Sequence, residues 1–289
     1  MINSTKVRNQ QMLSLKKFIV LAGAILFCVQ VTRADVIYRE VFGNLAAPTG
    51  TNSSFNIANM GWYGYWGGTA ASQESATYNQ FGVSAAAGDP SNLDNVNAGG
   101  PALSTTYGLG FTSGGTLTPG ANSRILVGTS QYTVDPAATN IQTISFYAGS
   151  GNSGGSIPGF RIAVEIGGNW YATAQVFANT TAVGSIGSFP TGAQQQIFNW
   201  TTAASAWDTL TFVPGTSLVL GSAVGSDLPS APITAFGLYS DPVTNAAAAS
   251  TRRWDTFEID GTAVPEPSSV ALVLIGFGGL LGLRRSRKA

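Results

Sequence analysis

The chain has 289 residues with 14 basic and 14 acidic side chains, so its formal charge is zero, and it contains no histidine. The balance hides a split: between Asp35 and Val264 five cations (Arg39, Arg124, Arg161, Arg252 and Arg253) face thirteen carboxylates, a net charge of −8. An acidic body repels phosphate backbones, which argues against nucleic-acid binding, and the lack of histidine removes the commonest general base and transition-metal ligand.

In chain order, Lys6, Arg8, Lys16 and Lys17 precede an apolar run over 18–31, which leads to Thr32-Arg33-Ala34. A basic start, an apolar middle and a small residue before the cut predict a signal peptide over 1–34 and a mature chain from Asp35. Cys28, the one cysteine, follows Leu26-Phe27 inside the apolar run, where a lipoprotein cut needs a small residue. The mature protein is therefore expected to carry neither thiol nor disulfide.

Short β-type runs then alternate with Gly, Pro and Asn clusters. They are "DVIYREVF" (35–42), "RILVGTSQYTV" (124–134), "IQTISFYAG" (141–149), "GFRIAVEI" (159–166), "NWYATAQVF" (169–177), "QIFNWTT" (196–202), "DTLTFV" (208–213), "SLVLGSAV" (217–224), "ITAFGLYS" (233–240) and "RRWDTFEID" (252–260). Runs of this length with no long amphipathic helix predict an all-β sandwich or barrel, a single domain over 35–261 with a tether at 262–264. Around Gly167-Gly168-Asn169, alternation favours a three-residue loop. It pairs Ile166 with Trp170 and Val164 with Ala172, keeps one apolar face together, and leaves Glu165 off that face.

Few residues suit catalysis. Glycoside hydrolysis needs two carboxylates facing each other about 5–10 Å apart. The nearest strand pattern, Glu258-Ile259-Asp260, lacks a third acid because Ala263 stands at that position. Glu258 and Asp260 read as the solvent side of a last strand whose Phe257 and Ile259 pack inward. Without histidine no Ser-His-Asp triad can form, and no catalytic residue is assigned. The loop "GDPSNLDNVNAGG" (88–100) groups Asp89, Asn92, Asp94, Asn95 and Asn97, hard oxygen donors of the kind calcium takes. The order of an EF-hand is missing, and ordinary turn chemistry explains the same residues, so no cofactor is expected. In "GWYGYWGG" (61–68), Trp62, Tyr63, Tyr65 and Trp66 crowd four rings into five positions. Exposed, such rings stack on sugar faces and would form a glycan platform; packed, they fill and edge a core.

The last stretch, "VPEPSSVALVLIGFGGLLGLRRSRKA", is apolar from Val270 to Leu283 and then basic at Arg284, Arg285, Arg287 and Lys288. Fourteen residues at about 1.5 Å each span about 21 Å, short of a bilayer core of about 30 Å. Extended to Ser268, with the arginines snorkelling, the segment 268–283 predicts a marginal transmembrane helix. The basic tail 284–289 would stop export at the cytoplasmic side, and Gly278 and Gly282 offer a small-residue face to a membrane partner. Val264-Pro265-Glu266-Pro267, the short apolar helix and the terminal arginines together resemble the PEP-CTERM sorting signal of Gram-negative bacteria. That resemblance, over 262–289, implies export through the inner membrane and processing near Pro-Glu-Pro by a membrane exosortase. It further implies a place at the cell surface or outside, with extracellular polysaccharide and biofilm. The body, chiefly its closing "RRWDTFEIDGTAVPEP", resembles concanavalin-like jelly rolls, which implies that fold class.

These readings predict a non-enzymatic exported surface or matrix protein whose partners are an exosortase, the inner membrane transiently, and exopolysaccharide. A glycan-binding module using Trp62–Trp66, with calcium at Asp89–Asp94, is the second hypothesis. A glycan-active enzyme with Glu165 or Glu258 as one acid is the third.

Overall fold

In a computed structural model the described residues are 34–42, 54–57, 61–67, 71–74, 81–85, 108–112, 124–152, 159–178, 180–182, 195–214, 216–241 and 250–264. All belong to one compact unit, Ala34–Ala289. The expected signal peptide, the 88–100 loop and the membrane helix lie outside the described residues. Among the described residues no helix is long and apolar enough to cross a membrane.

The elements are strands, apart from one turn of 3-10 helix at Ala204–Ala206. They run β1 (Asp35–Glu40), β2 (Ser54–Asn56), β3 (Tyr63–Gly67), β4 (Ala71–Glu74), β5 (Phe81–Ala85) and β6 (Gly108–Thr112). Then come β7 (Arg124–Thr129), β8 (Thr139–Asn152), β9 (Phe160–Ile166), β10 (Asn169–Thr173) and β11 (Thr180–Ala182). The last are β12 (Gln195–Asn199), β13 (Trp207–Val213), β14 (Ser217–Ala223), β15 (Ile233–Ser240) and β16 (Ser250–Ala263). Two sheets form. One has the order β11-β8-β16-β6-β5-β2, with β1 also on β16 and β12 also on β8; the other runs β14-β13-β10-β9-β15-β7-β3-β4. Every pairing is antiparallel except β11 on β8.

The core lies between the sheets. The first contributes Ile144, Phe146 and Ala148 of β8 and Trp254, Phe257 and Ile259 of β16. The second contributes Ile125 and Val127 of β7, Phe160, Ile162, Val164 and Ile166 of β9, and Phe236 and Leu238 of β15. Rings bridge the layers edge to face: Phe160 meets Phe146 at 6.1 Å and Trp254 at 6.1 Å between centroids. Such contacts add to the area these rings bury.

β16 is central in its sheet, with β8 along one edge and β6 and β1 along the other. Trp254 and Phe257 both face the core although three positions apart, which a period of two forbids. A bulge between Asp255 and Glu258 restores the phase, with Thr256 at φ 45°. The Asp255 carboxylate accepts from the Thr256 backbone N–H at 2.6 Å and holds that turn. Because β1 and β8 flank this part of the strand, Glu258 is only 9% exposed rather than on an open solvent face. Asp260 is half-buried and accepts from Thr143 Oγ1 at 2.8 Å.

The β9–β10 hairpin corrects the expected register. Asn169 pairs with Ile166, Trp170 with Glu165 and Ala172 with Ala163, across a two-residue loop. Gly167 and Gly168 adopt φ of +59° and +78°, the conformation a two-residue I′ turn demands at both positions. Alternation misled because the far face of this sheet is apolar too. Leu126, Ala163, Ala172, Leu210, Leu218 and Tyr239 form a second cluster there, with Tyr65, Trp170, Phe212 and Leu220 packed against it. The β13–β14 hairpin turns across that face, so that β14 reaches β7 and β3. Trp170 is therefore sheltered on the face that a one-sided core would leave to polar residues.

Candidate functional site

The chain leaves the folded body at the end of β16. Thr262 pairs with Asn140 and Ala263 with Thr139, and the Val264 N–H donates to the Ala138 carbonyl at 2.8 Å. Val264 is 39% exposed, and Pro265 after it has no N–H with which to extend the ladder. The last described residue, Val264, stands immediately before Pro265-Glu266-Pro267. A cut beyond Val264 removes no residue of β16, whose Trp254, Phe257 and Ile259 are wholly buried.

Residues 263–288 match the family of the PEP-CTERM protein-sorting motif. The chain ends in a PEP-CTERM protein-sorting motif. It implies a secreted protein, carried across the inner membrane of a Gram-negative bacterium to the cell surface and sorted by an exosortase. The match takes in Val264, Pro265, Glu266 and Pro267 and the basic residues Arg284, Arg285, Arg287 and Lys288; all but Val264 lie outside the described residues. No curated protein matches the chain in sequence. Among solved structures the chain is similar to the K1 cleaved adhesin domain of Lys-gingipain (Kgp) from Porphyromonas gingivalis W83. That likeness has 12% identity over 78% of this chain and 97% of that one, with a TM-score of 0.28, too low to carry fold or function across.

The aromatic stretch is not one platform. Trp62 is fully buried, and its Nε1–H donates to Tyr38 Oη at 3.0 Å. Its ring lies 5.0 Å from Phe42 and 5.3 Å from Phe257. Of the two alternatives, exposed or packed, Trp62 takes the packed one: it sits before β3, where the chain enters the core. Tyr63 is 38% exposed, while Tyr65 turns to the far-face cluster and meets Phe212 edge to face at 4.5 Å. Trp66 pairs through its backbone with Ser72 and Ile125; its side chain lies outside the described residues.

The two glutamates considered as acids do not converge. Glu165 neighbours the core-facing Val164 and Ile166 and so lies on the far side of the second sheet, where its Oε2 accepts from Thr234 Oγ1 at 2.6 Å. Glu258 lies on the far side of the first sheet, ion-paired with Arg39. The sandwich separates them, with sheets packing about 10 Å apart. Among the described residues no group of three His, Cys, Asp or Glu side chains could hold a metal ion.

Sequence reasoning missed a cluster around Asp241. Arg161 of β9 donates through Nη1 to the carbonyls of Thr173 at 2.6 Å and Ala174 at 2.8 Å and to Asp208 Oδ2 at 3.2 Å. Its Nε lies 3.5 Å from Asp241 Oδ2. Arg252 donates to the Asp241 carbonyl at 2.6 Å, and Tyr239 donates to Asp241 Oδ1 at 3.2 Å. Burial pulls the Arg252 guanidinium down to about 10, against the pull of Tyr239 and Asp241, and it stays charged at neutral pH. Burial first, then Asp241, pushes the Tyr239 phenol well up. The cluster ties the ends of β9, β13, β15 and β16. Its members are up to 91 residues apart (Arg161 to Arg252), so no local spacing announces it.

Proposed function

We propose that this is a non-enzymatic, exported surface or matrix protein associated with extracellular polysaccharide. Its acidic β-sandwich, of the concanavalin-like jelly-roll class, is delivered by an exosortase that removes the terminal segment. The observation that carries the reading is the position of the sorting motif. It begins where β16 ends, so the processed segment follows the last described strand of the body. The dispersal of Glu165 and Glu258 to opposite faces supports a binding or structural role over glycoside hydrolysis. The wholly buried Trp62 removes one ring from the proposed glycan platform, leaving Tyr63 as its exposed described member.

The test is the double variant Pro265→Ala, Pro267→Ala expressed in the native host. Full-length protein should accumulate in the membrane fraction while wild type is released. Unchanged release of the double variant overturns the sorting role of the Pro-Glu-Pro segment.

A further inference from the structure

At the end of the sandwich from which the chain exits lies a cleft of about 260 Å³. Its floor is apolar, formed by Ile141 of β8, Ile166 of β9, Ile233 of β15 and Leu228. Its polar lining is uncharged: Thr139, Asn140, Thr202 and Ser230, with Trp200 on one side.

The walls are pinned. On one side Asp135 closes a turn: its carbonyl accepts from Ala138 and Thr139, and its Oδ1 accepts from the Ala137 N–H at 2.9 Å. On the other, the Leu228 N–H donates to the Thr202 carbonyl at 2.8 Å and the Ala204 N–H to Asp227 Oδ1 at 2.9 Å. The Val134–Ile233 bridge joins the two sides at 3.0 and 2.9 Å. Trp200 is half-buried and set by edge contacts with Trp207 at 5.4 Å and Phe198 at 6.5 Å. Its backbone N–H donates to Gln142 at 2.9 Å. A ligand meets a formed site here and does not have to order it, which lowers the cost of binding.

The lining selects a chemistry. An indole beside hydroxyls and an amide suits a molecule with one apolar C–H face and hydroxyls round its rim. Among the described residues no cation lines the cleft, so an anionic ligand finds no counter-charge there, and Asp135 and Asp227 border it with negative charge. The volume falls just below the roughly 300 Å³ at which pockets begin to hold drug-sized molecules, so it suits one ring rather than a chain of them. We propose that this cleft binds a single neutral pyranose unit of an external glycan, with Trp200 as the stacking surface and Asn140, Thr202 and Ser230 as hydroxyl partners. Among the described residues no carboxylate lines it, which favours holding the unit over cleaving it. The assignment rests on the surface-protein reading only for its access to such a glycan.

The full chain, purified in a detergent without a sugar head group, tests this by saturation-transfer NMR. The probes are the methyl pyranosides of glucose, galactose and mannose, with glucuronate as the acidic control. At least one neutral glycoside should receive saturation, and glucuronate should not. Trp200→Ala should weaken that binding about tenfold, as about 1.4 kcal/mol of lost contact does. Ser230→Tyr, which adds a ring at an exposed wall position, should abolish it and keeps the test valid if Trp200→Ala folds poorly; Tyr63→Ala should leave it intact. The cleft is overturned if no neutral glycoside binds, if glucuronate binds equally, or if both cleft variants bind as wild type does. Release of the same variants from cells is read separately: failure of wild-type processing sinks the sorting reading and leaves the cleft result standing.

Discussion

The two ends of the sandwich are built from different chemistry. At one end Arg161, Arg252, Asp208 and Asp241 occupy each other and nearby carbonyls, and little of that charge faces outward. At the other, where β8 begins and β16 ends, a cleft lined by uncharged residues lies beside the exit of the sorting segment. The ion pairs Arg161–Asp208 and Arg161–Asp241 join strand ends. The contrast teaches where to look for function: a dense cluster of ionisable groups marks a joint here, and a cleft with no ionisable group among its described lining residues marks the better candidate for recognition.

The comparison breaks most visibly at the charged end. Arg161→Met leaves Asp208 and Asp241 without their shared cation and takes the guanidinium donor from the Thr173 and Ala174 carbonyls. Removing one member of a mostly buried pair costs about 3 kcal/mol or more, so the urea midpoint should fall well below wild type. Asn140→Ala at the open end should stay within about 0.5 kcal/mol in the same assay, as an exposed substitution does. Equal losses at both ends would remove the distinction.

A finer test sits in two glycines near the cleft. A Cβ added at Gly168 or at Gly225 meets no atom within 4 Å, so neither change causes a clash. Gly168 holds φ +78°, and Gly168→Ala should cost about 1 kcal/mol through backbone strain alone. Gly225→Ala, with no such constraint, should stabilise by about 0.4–1 kcal/mol by restricting the unfolded chain. Opposite signs in thermal melts support the two-residue turn; a neutral Gly168→Ala argues for another loop.

That turn also shows what the sequence could not disclose. From β7 onward, strand positions other than β11 were legible because Ile, Val and Phe recur between Gly and Pro, and "ITAFGLYS" coincides with β15. Strands β3 and β6 were not, since Tyr-Gly-Tyr-Trp-Gly and Gly-Leu-Gly-Phe-Thr carry too much glycine for a clean alternation. The hairpin register failed for a tertiary reason, the second apolar face beneath β13–β14. Trp62 was placed by its neighbours Phe42, Tyr38 and Phe257, which lie 20, 24 and 195 residues away in sequence. The sorting motif was fully legible because its information is linear: composition, length and charge, read by another protein.

Alkaline pH offers the smallest effect and separates burial from pairing at the charged end. Tyr38, Tyr65, Tyr132 and Tyr239 are all raised by burial, with Glu40 adding to Tyr38 and Asp241 to Tyr239. Each keeps its proton in the fold beyond the unfolded value of about 10, so its contribution is complete below about pH 10 and declines as pH rises further. Arg252 works in the other direction. Its folded value of about 10 lies below that of the unfolded chain, so its burial weighs against the fold at neutral pH and is relieved as pH climbs through 10. With four phenols against Arg252 and Arg253, the urea midpoint should fall above about pH 10. Tyr239→Phe keeps the ring in the far-face cluster and removes one of the four, so the fall should be shallower than in wild type. A midpoint that rises through the same range would mean that relief of the buried guanidinium outweighs the phenols, and that the charged end is held by packing more than by its ion pairs.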